Sequence, residues 1–338
     1  MKRAAYIDAT YTQTEGETTC IINGQFHFPA GLDLLGKREY FKEHYDWIRG
    51  AIIREPRGHN DLFGAVIVPA STPEADIGII WIDSVGYGDM CGHGTIATSM
   101  LLASNNLAPR QNGETELRIE NPAGIVTSTV GIEDGEVQWC RFTNVPGFLA
   151  QKDIKVDVPE VGEMLVDISF GGNYFMNVKL DPEICRVAPE NAARLGRMGN
   201  AIKKQINDKI TMVHPDKPNV TEVDLVTFYQ KPEDNSADYR WVHAFRDGAL
   251  DRSPGGTGMS AMLAMLEARG EISMGQTIHA QGLLGTGTFE GKLIEETTVG
   301  EHRAVVPTVK GRSTLIGFGK WYLDPMDKNG RGYAVGRV

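Results

Sequence analysis

The sequence predicts a mixed α+β protein built from two related domains. Three observations carry that reading: short strand-like runs are many, helical patterns are few, and one turn-plus-helix segment recurs half a chain later. The strand-like runs are AAYIDA, LFGAVIVP, IGIIWID, LRIEN, GEVQWCRFT, MLVDISF, DLVTFYQ, WVHAFRD and TLIGFG. Each is apolar or alternating and rich in β-branched and aromatic residues, as half-buried or buried strands require. Four stretches have helical periodicity: LLGKREYFKEHYDWIRGAII, GTIATSMLLASNN, NAARLGRMGNAIKKQIND and GMSAMLAMLEARG. The second is expected to stop near Asn105 and Asn106, the fourth at Gly270. Strands in this excess over helices argue against a doubly wound parallel sheet.

The recurrence is specific in position. Asp89-Met90-Cys91-Gly92-His93-Gly94-Thr95 is echoed, 164 residues later, by Ser253-Pro254-Gly255-Gly256-Thr257-Gly258-Met259. An Ala/Met/Leu-rich helical stretch follows each copy. A Gly-x-Gly turn opening a helix, met twice half a chain apart, points to duplicated domains.

Bulk properties exclude several functions. A net charge of -10 disfavours nucleic acid and anionic membrane as principal partners, because both reward a basic surface. The four cysteines, Cys20, Cys91, Cys140 and Cys185, are scattered without a Cys-x-x-Cys pair, which fits a reduced, cytoplasmic setting. The first residues lack an apolar signal core, and no run approaches the roughly 20 residues of a membrane span. Cys91 and His93 alone do not make a metal site, as no second Cys/His pair has ligand spacing. Gly92-x-Gly94-x-x-Ala97 also fits a relaxed dinucleotide fingerprint, but the segment before it is broken by glycine and is no clean strand.

A helix start exposes backbone N–H groups and partial positive charge, so it attracts anions. Two such starts could hold one carboxylate. Cys91 stands at the first of them, where the helix terminus favours thiolate. A thiolate beside a bound carboxylate could remove the adjacent α-proton, and neutralising the carboxylate would help the carbanion form. The competing reading is a small buried hydrophobe.

At these residues the chain resembles the proline racemase family. Met90-Cys91-Gly92-His93-Gly94-Thr95 is similar to its first catalytic motif, and Asp251-Arg252-Ser253-Pro254-Gly255-Gly256-Thr257-Gly258 to its second. Glu55-Pro56-Arg57-Gly58-His59, Gly171-Gly172-Asn173, Thr14-Glu15-Gly16-Glu17, Phe289-Glu290-Gly291 and Leu323-Asp324-Pro325 agree as well. The resemblance covers nearly the whole chain. It implies two pseudo-symmetric domains of diaminopimelate epimerase-like type, each a curved sheet around a central helix, with the active site in the cleft between them. The expected division is 1–138 plus 312–338 for the first domain and 139–311 for the second. It also implies chemistry on proline or hydroxyproline without cofactor or metal, and a homodimer. Site roles carried over by the resemblance are Cys91 as acid/base and the amides of Gly92, His93, Gly256 and Thr257 for the substrate carboxylate. They further place Asp251 near the amine, His93 beside the site, and Phe63 and Phe245 on the ring.

The chain departs from the family at the second thiol. Gly255 stands where that cysteine is expected. Smaller departures are Gln13 for a usual His, Thr18 for Pro, Cys20 for Arg, and Met259 for Thr; they raise the prospect of an altered pocket. One-face chemistry stays open: in trans-3-hydroxy-L-proline the hydroxyl and α-hydrogen share a ring face, so one residue could remove the proton and protonate the departing hydroxyl. The first reading is therefore dehydration of that substrate to Δ1-pyrroline-2-carboxylate. The alternatives are a hydroxyproline 2-epimerase or amino-acid racemase, with water, Cys20 or another group replacing the lost thiol, and a non-catalytic amino-acid-binding protein.

Overall fold

The computed structural model describes residues 5–24, 26–104, 112–218, 220–221 and 223–335. They form two compact units, one within Met1–Phe142 and Arg312–Val338, the other Thr143–Gly311.

The first unit contains β1 (Ala5–Thr14), β2 (Glu17–Ile22), α1 (Leu34–Ile53), β3 (Phe63–Val68), β4 (Ile77–Asp83), the short β5 (Tyr87–Gly88), α2 (Gly92–Ser104), β6 (Gly113–Asn121), β7 (Gly124–Glu133) and β8 (Glu136–Thr143). It ends at Phe142 rather than 138, because β8 is still paired with β7 there. The second unit contains β9 (Phe148–Val158), β10 (Gly162–Phe170), β11 (Tyr174–Lys179), α3 (Ala192–Asn207), β12 (Leu225–Gln230), β13 (Tyr239–Phe245), the short β14 (Ala249–Leu250), α4 (Gly256–Ala268), β15 (Thr277–Gln281), β16 (Thr288–Val299) and β17 (His302–Gly311). The chain then returns to the first unit as β18 (Ser313–Leu323), which pairs antiparallel with β1.

In the first unit the pairings run β18-β1-β2-β3-β4-β6-β7-β8. In the second they run β9-β10-β11-β12-β13-β15-β16-β17. Corresponding pairs share direction: β2–β3 and β11–β12 are parallel, as are β4–β6 and β13–β15, and the rest are antiparallel. The duplication read from the echo is thus a duplication of topology, with β18 supplying in the first unit the strand that β9 supplies in the second.

Each unit wraps its sheet around one apolar helix. In the first, α2 touches β1, β2, β3, β7 and β18 and is buried from Gly92 through Ala103. Strand alternation divides the core: Val66, Val68, Ile80 and Ile82 pack with Phe41, Ile48 and Ile52 of α1, whereas Ala65, Ile79 and Trp81 pack with Ala97 and Leu101 of α2. Both faces are covered, which is why β3 and β4 read as continuous apolar runs. In the second unit Val226, Phe228, Val242 and Ala244 pack with Leu195, Met198 and Ile202 of α3. The alternate residues of β13, including Trp241 and His243, therefore face the other way.

Local signals account for the element ends. Asp33 caps α1 by accepting from the Gly36 amide at 2.8 Å. Helix α4 closes as expected at Gly270, whose φ is 71°, with the Glu271 amide donating back to the Leu266 carbonyl at 2.8 Å. Helix α2 is described to Ser104; the expected stop at Asn105 and Asn106 lies outside the described residues.

Candidate active site

In the first unit the site begins where β5 ends. Cys91 caps α2, its carbonyl accepting from the Thr95 amide at 2.9 Å and the Thr95 hydroxyl at 2.8 Å. Helix geometry leaves the Gly92 and His93 amides without intrahelical acceptors. The Cys91 thiol is half-buried, with its Sγ 3.5 Å from Nε2 and 3.7 Å from Nδ1 of His93. The His93 ring is buried and meets Phe63 edge-on, with centroids 4.7 Å apart. The structure thus brings Cys91, Gly92, His93 and Phe63 together.

This helix start is braced from the β1–β2 hairpin. Glu15 and Gly16 take φ of 45° and 101°, the pair of positive values a tight two-residue turn needs. The Gln13 side chain accepts from the Gly16 amide at 2.7 Å, so its departure from the family pattern serves the turn. The Thr14 hydroxyl lies 3.3 Å from the His93 carbonyl, which can accept from it, and 2.9 Å from the Ser313 hydroxyl. Cys20 is fully buried beside Tyr11, and burial pushes its thiol up to about 12. It packs in the core with Ile7, Ile22 and Val66. Burial also pushes Cys140 up to about 12.

In the second unit Gly255 caps α4 as Cys91 caps α2, accepting from the Met259 amide at 2.9 Å. Gly256 and Thr257 open the helix. Asp251 is buried, and its Oδ1 accepts from the Ser253 amide at 2.8 Å and the Ser253 hydroxyl at 2.7 Å, which shapes the loop into the turn. Phe245 ends β13 and is buried. Met259 is fully buried against β16: a Cβ on Gly291 would lie 2.4 Å from its methyl.

The Gly171-Gly172-Asn173 segment is explained by packing. A Cβ on Gly171 would lie 2.2 Å from the Ala261 amide nitrogen and 2.6 Å from the Thr257 carbonyl oxygen, so only glycine lets this loop lie against the first turns of α4. Asn144 ties the two together, donating to the Gly171 carbonyl at 2.8 Å and to the Ser260 hydroxyl at 2.9 Å.

Sequence reasoning missed His243. It is buried on β13 and its ring lies against the second turn: a Cβ on Gly255 would fall 2.4 Å from its Cδ2 and 2.5 Å from its Nε2. A Cβ on Gly258 would fall 2.2 Å from its Nε2. The Pro254 carbonyl accepts from His243 Nε2 at 2.9 Å and from Trp241 Nε1 at 2.5 Å. Nε2 therefore carries the proton, and in the neutral ring Nδ1 accepts from the Thr227 hydroxyl at 2.9 Å. Burial lowers the His243 pKa, opposed by the nearby Asp251 charge. The available signal was a histidine in an apolar strand alternating with Tyr239, Trp241 and Phe245.

Among the described residues no group of three or more His, Cys, Asp or Glu could hold a metal ion, and no helix is long and apolar enough to cross a membrane.

A duplicated mixed α/β fold, with a thiol–imidazole pair at one of its two central helix starts, defines an enzyme class. The chain belongs to the proline racemase family: the family model described as Proline racemase matches residues 10–334. A 4-hydroxyproline 2-epimerase of Cereibacter sphaeroides is 46% identical, over 96% of this chain and 97% of its own. A proline racemase of Clostridioides difficile is 39% identical, over 99% of this chain and 100% of its own. A solved hydroxyproline epimerase from Agrobacterium vitis, with bound trans-4-OH-L-proline, has a TM-score of 0.89 at 28% identity, covering 99% of this chain and 96% of its own. A PhzF-family phenazine biosynthesis protein of Bacillus anthracis, 15% identical with a TM-score of 0.62 over 94% of this chain and 99% of its own, shares the fold.

Proposed function

We propose that Cys91 removes the α-proton of a proline-like amino acid without a cofactor, and that the reaction is dehydration of trans-3-hydroxy-L-proline to Δ1-pyrroline-2-carboxylate. One observation carries the reading: the Cys91 thiol contacts the His93 imidazole at the start of α2, while the equivalent Gly255 brings no side chain. The thiol is thereby confined to one of two matched turns.

The substrate carboxylate would take hydrogen bonds from the amides of Gly92, His93, Gly256 and Thr257, where helix dipoles stabilise negative charge. Asp251 would meet the amine, and Phe63 and Phe245 would pack on the ring. The Cys91 thiolate takes the α-proton. The electrons of that C–H bond form a Cα–Cβ double bond as the C3 hydroxyl leaves. The proton now on sulfur goes to that hydroxyl, so water departs and the thiolate is restored. The enamine then moves its N–H proton to C3 and becomes the ring imine. No oxidant or reductant enters.

A second reading, 2-epimerisation of hydroxyproline, is favoured by the 46% identical relative named for that reaction. It needs a second proton carrier on the opposite face. Proton NMR in deuterated water with L-proline, trans-4-hydroxy-L-proline and trans-3-hydroxy-L-proline separates the two. Ring imine from the 3-hydroxy substrate supports dehydration. Inverted, α-deuterated 4-hydroxyproline supports epimerisation. Binding without exchange or elimination overturns both and leaves an amino-acid-binding protein.

A further inference from the structure

We infer that His243 is the positioning residue of the second turn: it fills the side-chain space of residue 255 and holds the Pro254 carbonyl, so that no side chain can project from position 255. The inference rests on the assignment of the Gly256 and Thr257 amides to the substrate.

Three observations converge on this one imidazole. First, its edge occupies the volume a residue-255 Cβ would need, at 2.4 and 2.5 Å, well inside contact distance. The obstructing atoms belong to a buried ring pinned at both nitrogens, by Thr227 and Pro254, so it cannot swing aside cheaply. Second, Gly255 has a φ of 71°, a left-handed conformation that L side chains rarely adopt. The turn is therefore not a cysteine turn lacking its thiol. Its backbone follows a different path, one compatible with the ring beside it. Third, the His243 N–H and the Trp241 N–H converge on the carbonyl of Pro254, which fixes the peptide plane entering Gly255 and hence the direction from which the Gly256 and Thr257 amides project.

The first unit supplies the contrast. Trp81 on β4, paired with Ala65, matches His243 on β13, paired with Thr227. Trp81 fills the space over Gly94, with a Cβ there 2.6 Å from the indole, as His243 fills the space over Gly258. Trp81 leaves room for a side chain at the cap, and Cys91 uses it. His243 covers the cap as well.

The test compares Gly255→Cys alone with Gly255→Cys combined with His243→Val. Valine suits the strand, and Pro254 keeps the Trp241 donor. Each protein is given trans-4-hydroxy-L-proline in deuterated water, and inverted product is followed by NMR and chiral separation, with thermal melting to verify folding. Gly255→Cys alone is expected to gain no inversion over the parent. The double variant is expected to invert at least 10-fold faster than either single variant. The inference is overturned if Gly255→Cys alone gains as much as the double variant, or if the folded double variant gains nothing. His243→Val alone is expected to raise KM more than it lowers kcat, since it loosens carboxylate-binding amides; an unchanged KM counts against the inference. Cys91→Ser in the double background tests the thiol separately: exchange that survives there refutes the role of Cys91 and leaves the result for His243 standing.

Discussion

The two central helices have the same length and the same place in the topology, yet only one start carries a thiol. Cys91 and Gly255 each accept the first hydrogen bond of a thirteen-residue helix, α2 or α4. Behind Cys91 the strand β4 places Trp81; behind Gly255 the strand β13 places His243. The lesson is that loss of the second thiol is not a point change at 255. It is shared between a glycine in a left-handed conformation and a ring on another element, and the two permit each other.

The largest expected effect tests the asymmetry itself. Cys91→Ser should lower turnover by about 1,000-fold or more, since it removes the proposed acid/base group; substrate loss followed by NMR checks this, and near-normal turnover would end the thiol account. Alkylation with iodoacetamide, read by mass spectrometry, should meanwhile modify Cys91 and spare Cys20 and Cys140, which are buried with thiols pushed up to about 12.

Gly255→Ala should destabilise the protein by about 3 kcal/mol, combining overlap with His243 and a disfavoured φ. In the His243→Val background that loss should shrink by more than half, as urea denaturation of the four proteins would reveal. Equal losses in both backgrounds would mean that the two residues act independently.

A smaller effect is expected at His93→Gln. Turnover should drop by about 10- to 100-fold with little change in stability, because the imidazole contacts the thiol but is braced mainly through its backbone carbonyl and Phe63. The pH dependence of kcat should move with it; a rate loss with an unshifted profile would make His93 a packing residue.

The smallest effect lies in stability against pH. Burial lowers the pKa of His243 from its ordinary value of 6.5, so in the folded protein the ring stays neutral where the unfolded chain takes up a proton. The unfolded state then binds more protons, and stability falls as pH drops below 6.5, by at most about 1.4 kcal/mol per pH unit from this residue. Burial lowers His214 in the same direction. Melting the parent and His243→Val across this range should give a shallower acid slope in the variant; parallel slopes would mean that His243 titrates normally.

Legibility differed between site and fold for physical reasons. Cys91 could be read from the sequence because the chemistry of a helix start is local, and the echo marked both starts; Gly92, His93 and Asp251 entered through the family resemblance. The four helices and the apolar strands β3, β4, β12 and β13 were legible from periodicity. Strands β2, β7, β9, β11 and β15 to β17 were not singled out. Several are polar or glycine-containing, such as TFEGKLIEETTV of β16, and owe their conformation to neighbours distant in sequence. His243 escaped for the same reason, since nothing near it in the chain says which face of the sheet it will occupy.

The sequence by itself determined that two glycine-rich turns open two apolar helices and that one of them carries a thiol. Local backbone geometry and residue identity suffice for that. Only the tertiary structure decided what stands beside Gly255, because the pairing of β12 with β13 orients the His243 ring and the packing of β13 against the turn sets how close it comes. Those contacts join segments separated along the chain, and their energies depend on register and distance rather than on any motif.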